Sequence, residues 1–158
     1  MRQYFTLLLI IIPLFIKAQS DLDLLVFSKI NEYRKQNGIH ELVWGYNGFK
    51  ASKHHTKYMM KKKQIGHREI STTPTAASRL KYYGVDFNFA GENCAMVIIG
   101  IIEKYANDEY LATEIIEMWK QSPGHNKNML NKNYKFGSVS CLKDVYSTYT
   151  TLNVYSLR

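Results

Sequence analysis

Ala90-Gly91-Glu92-Asn93-Cys94-Ala95 is the stretch around which the rest of the chain is organised. It places a single carboxylate, Glu92, between glycine and asparagine at the head of an apolar run that continues to Ile102. Glycine adopts backbone angles that other residues avoid, so the stretch predicts a tight turn that carries a site group. Two histidines lie far from it in sequence, His67 before it and His125 after it. We expect a site where the fold brings these three side chains together.

The first eighteen residues have the pattern of a secretory signal peptide. Arg2 gives a charged start, an apolar run extends from Tyr4 to Ile16, and the small residue Ala18 precedes a polar segment. The apolar run is shorter than the roughly 20 residues that a membrane-spanning helix needs. We therefore expect residues 1–18 to be removed, residues 19–158 to form a domain without a transmembrane segment, and the protein to be periplasmic or extracellular.

The charge of the expected mature chain is positive. Removal of residues 1–18 leaves 19 basic and 13 acidic side chains, a net charge of +6. The remaining length suits one compact domain, which we expect to be monomeric. A positive surface favours anionic partners such as nucleic acid or cell-wall polymers. However, Lys61-Lys62-Lys63 is more simply a solvated helix end, and no helix interleaves arginine with aromatic residues as base readout would require, so no specific nucleic-acid partner is expected.

The two cysteines, Cys94 and Cys141, leave two alternatives open. An oxidising compartment favours a disulfide between them. Alternatively, both are small buried apolar residues, because free cysteine packs well in protein cores. The sequence does not fix the Cα separation of about 5.5 Å that a disulfide needs.

Helices are predicted through most of the chain. Apolar residues at helical spacing predict a first helix that begins at Asp21 and ends at Asn37-Gly38, and a second from about Asn47 to Lys62. Thr73-Pro74 predicts the N-cap and first position of a short helix that ends at Gly84. A further helix is capped at Asn107-Asp108 and broken at Ser122-Pro123-Gly124. The inner face predicted for the second helix consists of Phe49, Ala51, His55, Tyr58 and Met59. The inner face predicted for the helix that begins at Asn107-Asp108 consists of Tyr110, Leu111, Ile115, Met118 and Trp119.

The C-terminal part predicts strands, because it is rich in Val, Thr and Tyr with partial alternation. Segments 135–142 and 147–155, joined at Lys143-Asp144, are typical of an antiparallel hairpin. Segment 96–102 is apolar except for Gly100 and is predicted to be buried throughout. Helices come first and strands last, which predicts an α+β fold.

Several polar residues have two possible roles. Asn31 and Arg34, one helical turn apart, either bond neighbouring loops or remain exposed. Arg79 is either solvated or ties down the loop that carries His67.

His54 and His55 are adjacent on the second predicted helix. About a hundred degrees of rotation separates adjacent helical residues, so we expect the two rings not to point at one site. A buried, hydrogen-bonded core histidine is the favoured role for either of them.

In order and spacing, these segments resemble the CAP superfamily, which comprises the cysteine-rich secretory proteins, antigen 5 and plant pathogenesis-related proteins, with bacterial SCP-domain relatives. The resemblance spans most of residues 19–158. It is carried by Ile30-Asn31-Glu32-Tyr33-Arg34, Leu42-Val43-Trp44, His67, Gly91-Glu92-Asn93, Met118-Trp119, His125-Asn126-Lys127-Asn128-Met129-Leu130 and Phe136-Gly137-Ser138-Val139. It implies an α-β-α sandwich, in which a central twisted antiparallel sheet lies between helical layers beside a cleft.

The resemblance also implies site residues. In many members the cleft holds two histidines and two acidic residues that can bind a divalent metal. His67 matches the first histidine, Glu92 the acid of the Gly-Glu-Asn motif and His125 the second histidine. The second acid lies three residues after the helix tryptophan, and that position is Ser122 here, as in bacterial relatives with Trp-x-x-Ser-Pro-Gly-His. Serine carries no charge to orient or deprotonate a histidine. The residues expected to support the cleft structurally are Asn31, Arg34, Arg79 and Asn93.

Two classes of function follow. The first is a secreted binding module whose cleft engages a lipid, a peptide or an envelope component, with His67 and His125 able to hold zinc or another divalent metal beside Glu92. The second is a peptidase-like, metal-dependent hydrolase with Glu92 as general base. A Ser122 nucleophile is disfavoured, because Ser122 before proline is better explained as a helix-end residue. Loss of the second acid favours binding over catalysis.

Overall fold

The computed structural model describes residues 20–99 and 107–158. The predicted signal peptide therefore lies outside the described residues, as do residues 100–102 of the apolar segment. Within the described ranges there are five helices and four strands. In chain order they are α1 (Asp21–Gln36), β1 (Val43–Trp44), α2 (Tyr46–Lys62), α3 (Ala76–Tyr82), β2 (Phe87–Ile98), α4 (Asp108–Gln121), α5 (Pro123–Met129), β3 (Phe136–Lys143) and β4 (Ser147–Leu157). None of these helices has the length and apolar character needed to cross a membrane.

The strands form one sheet in the order β1-β3-β4-β2. The central strand β4 runs antiparallel to both β3 and β2, whereas the two-residue β1 adds to β3 in parallel, with Val43 opposite Phe136. Strands β3 and β4 are the predicted hairpin, and Oδ1 of Asp144 closes it by accepting from the N–H groups of Tyr146 and Ser147. The predicted α+β sandwich is confirmed, and the sheet is mixed only through the short β1.

Helices cover both faces of the sheet. On one face α1 and α4 pack around a core that contains Ile30 and Trp119. On the other face α2 and α3 cover smaller apolar clusters. Successive residues of a strand point to opposite faces, so the strands feed both layers. Ala95 and Val154 join the first core, and their neighbours Cys94 and Tyr155 each join one of the smaller clusters on the other face.

The first helix begins at a capping box that also reaches the sheet. Oγ of Ser20 accepts from the Asp23 N–H, and Oδ2 of Asp23 accepts from the Ser20 N–H. Oδ1 of Asp23 accepts from the N–H of Cys141 in β3 at 2.6 Å. The helix ends before Asn37, and Gly38 takes a left-handed φ of 68°. Local chemistry therefore fixes both ends of α1; its bounds agree with the prediction, whereas the capping box was not predicted.

Two helix predictions are corrected by the structure. The N-cap of α3 is Thr75, which exchanges hydrogen bonds with Ser78, so Thr73-Pro74 lies before the helix. On α4 the predicted face is displaced, because Tyr110 and Met118 are 38% and 40% exposed. The buried stripe of α4 is Leu111, Ala112, Ile115, Ile116 and Trp119, which lets this helix contact both α1 and β2.

The stretch from Ala90 to Ala95 lies within β2, so the predicted tight turn is wrong. Glu92 pairs with Asn153 of β4, and Gly91 has no positive φ. A Cβ at Gly91 would lie 2.7 Å from Oη of Tyr134 and 2.9 Å from Oδ1 of Asn128. Glycine is therefore needed for close approach of neighbouring segments rather than for a turn. Further along the strand Ile98 is 68% exposed, so segment 96–102 is not buried throughout.

The disulfide alternative is also corrected, because Cys94 and Cys141 are both free and buried. Cys94 lies on β2 opposite Thr151, and Cys141 lies on β3 opposite Thr150, so β4 runs between them. Two strand spacings amount to roughly 9.6 Å, beyond the Cα separation that a disulfide spans. The two thiols also face opposite sides of the sheet. Burial raises the pKa of both thiols, which keeps them protonated.

Candidate functional site

A shallow cleft of about 430 Å³ lies where the start of α3 meets the first half of β2. Its wall includes His67, from the loop between α2 and α3, and Glu92, from β2. Ala76, Ala77 and Phe87 give the opposite wall an apolar surface. The cleft therefore combines a few polar groups with apolar walls, which is the usual composition of a ligand site.

Glu92 is held by several partners. Its side chain is 4% exposed, Oε2 accepts from Nη2 of Arg79 at 2.6 Å, and Oε1 lies 3.1 Å from Nδ1 of His67. Nε2 of His55 lies 3.8 Å from the same Oε1. Burial by itself would raise the pKa of Glu92, but the hydrogen bond to His67 and the charges of Arg79 and His55 outweigh it, so the pKa is lowered. Glu92 is thus an ionised acceptor fixed in position.

His67 presents its ring to the cleft. The side chain is 53% exposed. Because an ionised Glu92 can only accept, Nδ1 of His67 donates and Nε2 is the nitrogen left for a ligand. The hydrogen bond to Glu92 raises the pKa of His67, against an opposing effect of burial. The pairing therefore fixes the ring orientation and favours its protonated form.

His125, on α5, lies beside His67. The two ring centroids are 5.9 Å apart, with the ring planes inclined at 57°. Burial lowers the pKa of His125, and the positive charge of His67 lowers it further. The two imidazoles are therefore electrostatically unequal: His67 gains a proton more readily and His125 less readily.

Asn93 fastens α5 to β2 and so sets the position of His125. Its Nδ2 donates to the His125 carbonyl at 3.0 Å, and its Oδ1 accepts from Nδ2 of Asn128 at 2.9 Å. Nδ2 of Asn128 also lies 3.2 Å from the Glu92 carbonyl. The structure therefore brings His67, Glu92 and His125 together, and Asn93 joins the strand that carries Glu92 to the helix that carries His125.

Ser122 stands at the junction of α4 and α5. It is half-buried, and its hydroxyl makes no capping hydrogen bond. Its carbonyl accepts from the Asn126 N–H at 2.8 Å, which starts α5. Its observed contacts are those of a helix-end residue.

The structure adds Glu69 and His55, which the sequence analysis did not place at the site. The Glu69 side chain is fully buried, and its Oε1 lies 2.7 Å from Nδ1 of His55. Its Oε2 lies 3.2 Å from Nε2 of His54, so the expectation that the two adjacent histidines do not face one site is wrong. Glu69 belongs to the loop between α2 and α3, and each ring reaches a different oxygen. The sequence signal was slight: one acid two positions after His67.

Arg79 joins the two carboxylates. It is fully buried, with Nη2 bonded to Glu92 and Nη1 3.2 Å from Oε1 of Glu69, an ion pair that lacks hydrogen-bond geometry. Nη2 also lies 3.4 Å from the His67 carbonyl, so Arg79 does tie down the His67 loop.

Asn31 and Arg34 support the fold farther from the cleft. Asn31 exchanges two hydrogen bonds with the backbone of Leu42. The fully buried Arg34 donates to the carbonyls of His40, Met129, Asn131 and Tyr134. These contacts fasten α1 to the segments before β1 and after α5.

Within the described ranges, one group offers three metal-type ligand atoms within 4.8 Å of one another: His55, Glu92 and Cys94. Cys94 suits a metal poorly, because burial raises its pKa well above the usual range. Nε2 of His55 is 2.7 Å from the Gly66 carbonyl and is thus already engaged. His67 lines the cleft, and the ring of His125 lies beside it with a centroid distance of 5.9 Å. This more exposed pair of histidines is better suited to an exchangeable ligand.

Comparisons with known proteins agree with this fold. The family model of the cysteine-rich secretory proteins (CAP) matches residues 27–156. An extracellular protein containing an SCP domain from Bacillus anthracis aligns with a TM-score of 0.69 and 25% identity, over 85% of this chain and 40% of that one. An outer surface protein from Borrelia burgdorferi aligns with a TM-score of 0.71 and 20% identity, over 86% of this chain and 93% of that one.

A cysteine-rich secretory protein from Staphylococcus aureus aligns with a TM-score of 0.62 and 15% identity, over 89% of this chain and 41% of that one. The chain thus spans well under half the length of the Bacillus and Staphylococcus proteins. No curated protein matches the chain significantly.

Proposed function

Because the chain belongs to the CAP family of cysteine-rich secretory proteins, we propose that it is an exported binding module whose cleft takes a lipid, a peptide or an envelope component at His67 and His125. The observation that carries the proposal is the state of Glu92. Its carboxylate is buried and held on both oxygens, so it orients His67, which lines the cleft beside His125.

The same observation weighs against hydrolysis with Glu92 as general base. An effective base needs a pKa near the working pH and a free oxygen within reach of the proton that it removes. The pKa of Glu92 is lowered, and Arg79 and His67 occupy its two oxygens. A proton taken up on Oε1 would have to displace its contact with His67, and the positive charge of Arg79 on Oε2 opposes protonation.

Export is supported by two independent features. Residues 1–18 have the charged, apolar and small-residue pattern of a signal peptide. The relatives from Bacillus anthracis and Borrelia burgdorferi are described as extracellular and outer-surface proteins. Mass spectrometry of the N-terminus of secreted protein tests this part, and we expect Gln19 as the first residue.

A divalent metal such as zinc fits the pair of imidazoles. A ligating histidine commonly donates its second ring N–H to a carboxylate, and His67 makes this contact with Glu92. Two imidazoles that share one zinc ion at about 2.1 Å hold their ring centres roughly 5–6 Å apart, and those of His67 and His125 are 5.9 Å apart. Two protein nitrogens suit an exchangeable ion with open positions. Such an ion would polarise a bound carbonyl or acidify a bound water.

Calorimetric titration of the mature protein with zinc tests the metal part of the proposal. We expect wild type to bind, and His67→Ala and His125→Ala each to weaken binding by about tenfold or more. His40→Ala is the matched control, since His40 is an exposed histidine that contacts the Tyr134 carbonyl and should leave affinity unchanged. Equal affinity in all four proteins, or no binding in wild type, would show that the cleft is not a metal site.

A peptide-hydrolysis assay separates binding from catalysis. We expect zinc-loaded wild type to show no turnover of a casein-derived peptide mixture above that of Glu92→Gln. Turnover that is present in wild type and absent in Glu92→Gln would favour the hydrolase instead.

A further inference from the structure

A second concave surface lies along the outer side of α2, away from the cleft. It is a groove of about 600 Å³ that contains Lys50, Lys53, Lys57 and Lys61. These lysines are spaced three or four residues apart, so they follow one another along one side of the helix over roughly 16 Å. Among the described residues that line the groove, none is acidic. We call this surface the lysine groove.

Aromatic rings hold two of the lysines in place. Nζ of Lys50 lies 4.7 Å from the centroid of the Tyr46 ring, and Nζ of Lys53 lies 5.5 Å from that of Phe49. Such cation–π contacts restrict the two side chains. Part of the entropy that a lysine loses on binding an anion is therefore lost already in the free protein.

The other rings of the lysine groove are engaged by neighbouring side chains. Tyr58 stacks on His55 at 6.2 Å with an interplanar angle of 9°. Tyr83 packs against His54 at 5.9 Å and against Tyr82 at 5.0 Å, both in edge-to-face arrangements. Sequence-tolerant binding of single-stranded nucleic acid uses open ring faces on which bases stack. The groove therefore presents a row of positive charges rather than a set of stacking platforms.

The shape of the surface restricts the partner further. A groove that follows a helix accommodates an extended chain, whereas a bilayer surface meets a convex or flat face. The positive charges recur about once per helical turn, every 5.4 Å or so along the groove. A flexible polymer that carries an anionic group at regular intervals can place successive anions against successive lysines.

We propose that the lysine groove binds a linear acidic polysaccharide, with Lys50, Lys57 and Lys61 pairing with carboxylate or sulfate groups on successive sugars. This site is separate from the cleft, whose lining residues come from the His67 loop, α3 and β2. The proposal does not depend on metal binding at His67 and His125.

The test compares two lysine-to-glutamine triple variants by calorimetry in about 150 mM salt. One variant changes Lys50, Lys57 and Lys61. The other changes Lys35, Lys127 and Lys132, which are exposed lysines outside the groove, and so removes the same charge. The probes are a polygalacturonate oligosaccharide and a heparin oligosaccharide, which distinguish carboxylate from sulfate recognition, and neutral dextran is the blank.

We expect wild type to bind at least one acidic probe and the groove variant to bind it about tenfold more weakly, since three surface ion pairs are lost. The control variant should differ from wild type by less than about twofold. Equal weakening in both variants would show a nonspecific charge effect and overturn the proposal. It would also be overturned if wild type bound neither probe, or if it bound a single-stranded oligonucleotide or anionic phosphatidylglycerol vesicles more tightly. Circular dichroism of both variants verifies that they are folded.

Discussion

Replacing Arg79 by methionine should destabilise the protein by about 3–5 kcal/mol at neutral pH, which is the usual cost of removing one partner from a buried ion pair. The side chain is fully buried, and its guanidinium lies 2.6 Å from Glu92 Oε2 and 3.2 Å from Glu69 Oε1. Methionine fills much of the same space without the charge. The variant therefore retains two buried carboxylates and loses the cation between them.

The pH dependence of this loss has a defined sign. In wild type the pKa of Glu92 is lowered, so its contribution to the free energy of unfolding is complete at neutral pH and is lost as the pH falls through the folded-state pKa. In the variant the charge of Arg79 no longer lowers the pKa of Glu92, whereas burial still acts to raise that pKa. The variant should therefore recover relative stability as the pH falls from about 7.5 to about 5, because protonation relieves the unpaired charge.

Urea denaturation of wild type and Arg79→Met at the two pH values measures both effects. Arg34→Met is the matched control: Arg34 is also fully buried, but its donors meet main-chain carbonyls, which do not titrate. It should lose stability without the recovery at low pH. Adding Glu92→Gln to Arg79→Met should restore part of the loss. A cost below about 1 kcal/mol, or parallel pH profiles for the two arginine variants, would refute the charge-network interpretation.

Two further outcomes follow from individual contacts. Gly91→Ala should lower the free energy of unfolding, measured by urea denaturation, by about 1–3 kcal/mol, because the new Cβ would lie less than 3 Å from Tyr134 and Asn128. Gly66→Ala is the control and should be near neutral, since no atom lies within 4 Å of a Cβ at that position. Equal losses in the two variants would contradict the close-approach argument. The hydrogen bond to Glu92 raises the pKa of His67. The contribution of His67 to stability is therefore complete below the unfolded-state pKa and is lost as the pH rises through the folded-state pKa. The difference in free energy of unfolding between wild type and His67→Gln should therefore decrease with rising pH. It should be small at every pH, since the ring is half-exposed. A difference that grows with pH would contradict the pairing of His67 with Glu92.

The helices and the hairpin could be predicted because their determinants are local. Ser20 and Asp23 close a capping box within one turn, and Gly38 supplies the left-handed residue beyond α1. The Ala90–Ala95 stretch could not be interpreted in the same way. Its glycine is required by Tyr134 and Asn128, which are distant in sequence and reach it only in the folded chain.

The separation of the two cysteines likewise depends on the order of the strands. Cys94 and Cys141 flank β4, which a sequence pattern does not specify. At the site, His67, Glu92 and His125 were singled out from the sequence, and the resemblance to the CAP superfamily assigned them to one cleft. Glu69 and its partner His55 were missed, because the path of the loop between α2 and α3 decides their contact.

Proton positions in the buried network bear on the role of the cleft. The Gly66 carbonyl can only accept, so the 2.7 Å contact from Nε2 of His55 requires a proton on that nitrogen. The contact of 2.7 Å between Nδ1 of His55 and Glu69 requires one proton more, on either atom. Arg79 and this second proton thus match the charges of Glu69 and Glu92, and the network is close to neutral.

Any charge on His67 therefore faces the cleft without a second carboxylate to balance it. The resemblance to the CAP superfamily places a second acid at position 122, and the residue there is Ser122. The pair of imidazoles then offers one ring that favours protonation and one that favours the neutral form. A protonated ring can donate to an anionic or carbonyl group of a ligand, and a neutral ring can accept from a donor group. Base catalysis by Glu92 is opposed by the charge of Arg79 on Oε2 and by the contact of Oε1 with His67. The electrostatics of the two imidazoles and of Glu92 therefore support the proposed binding role over hydrolysis.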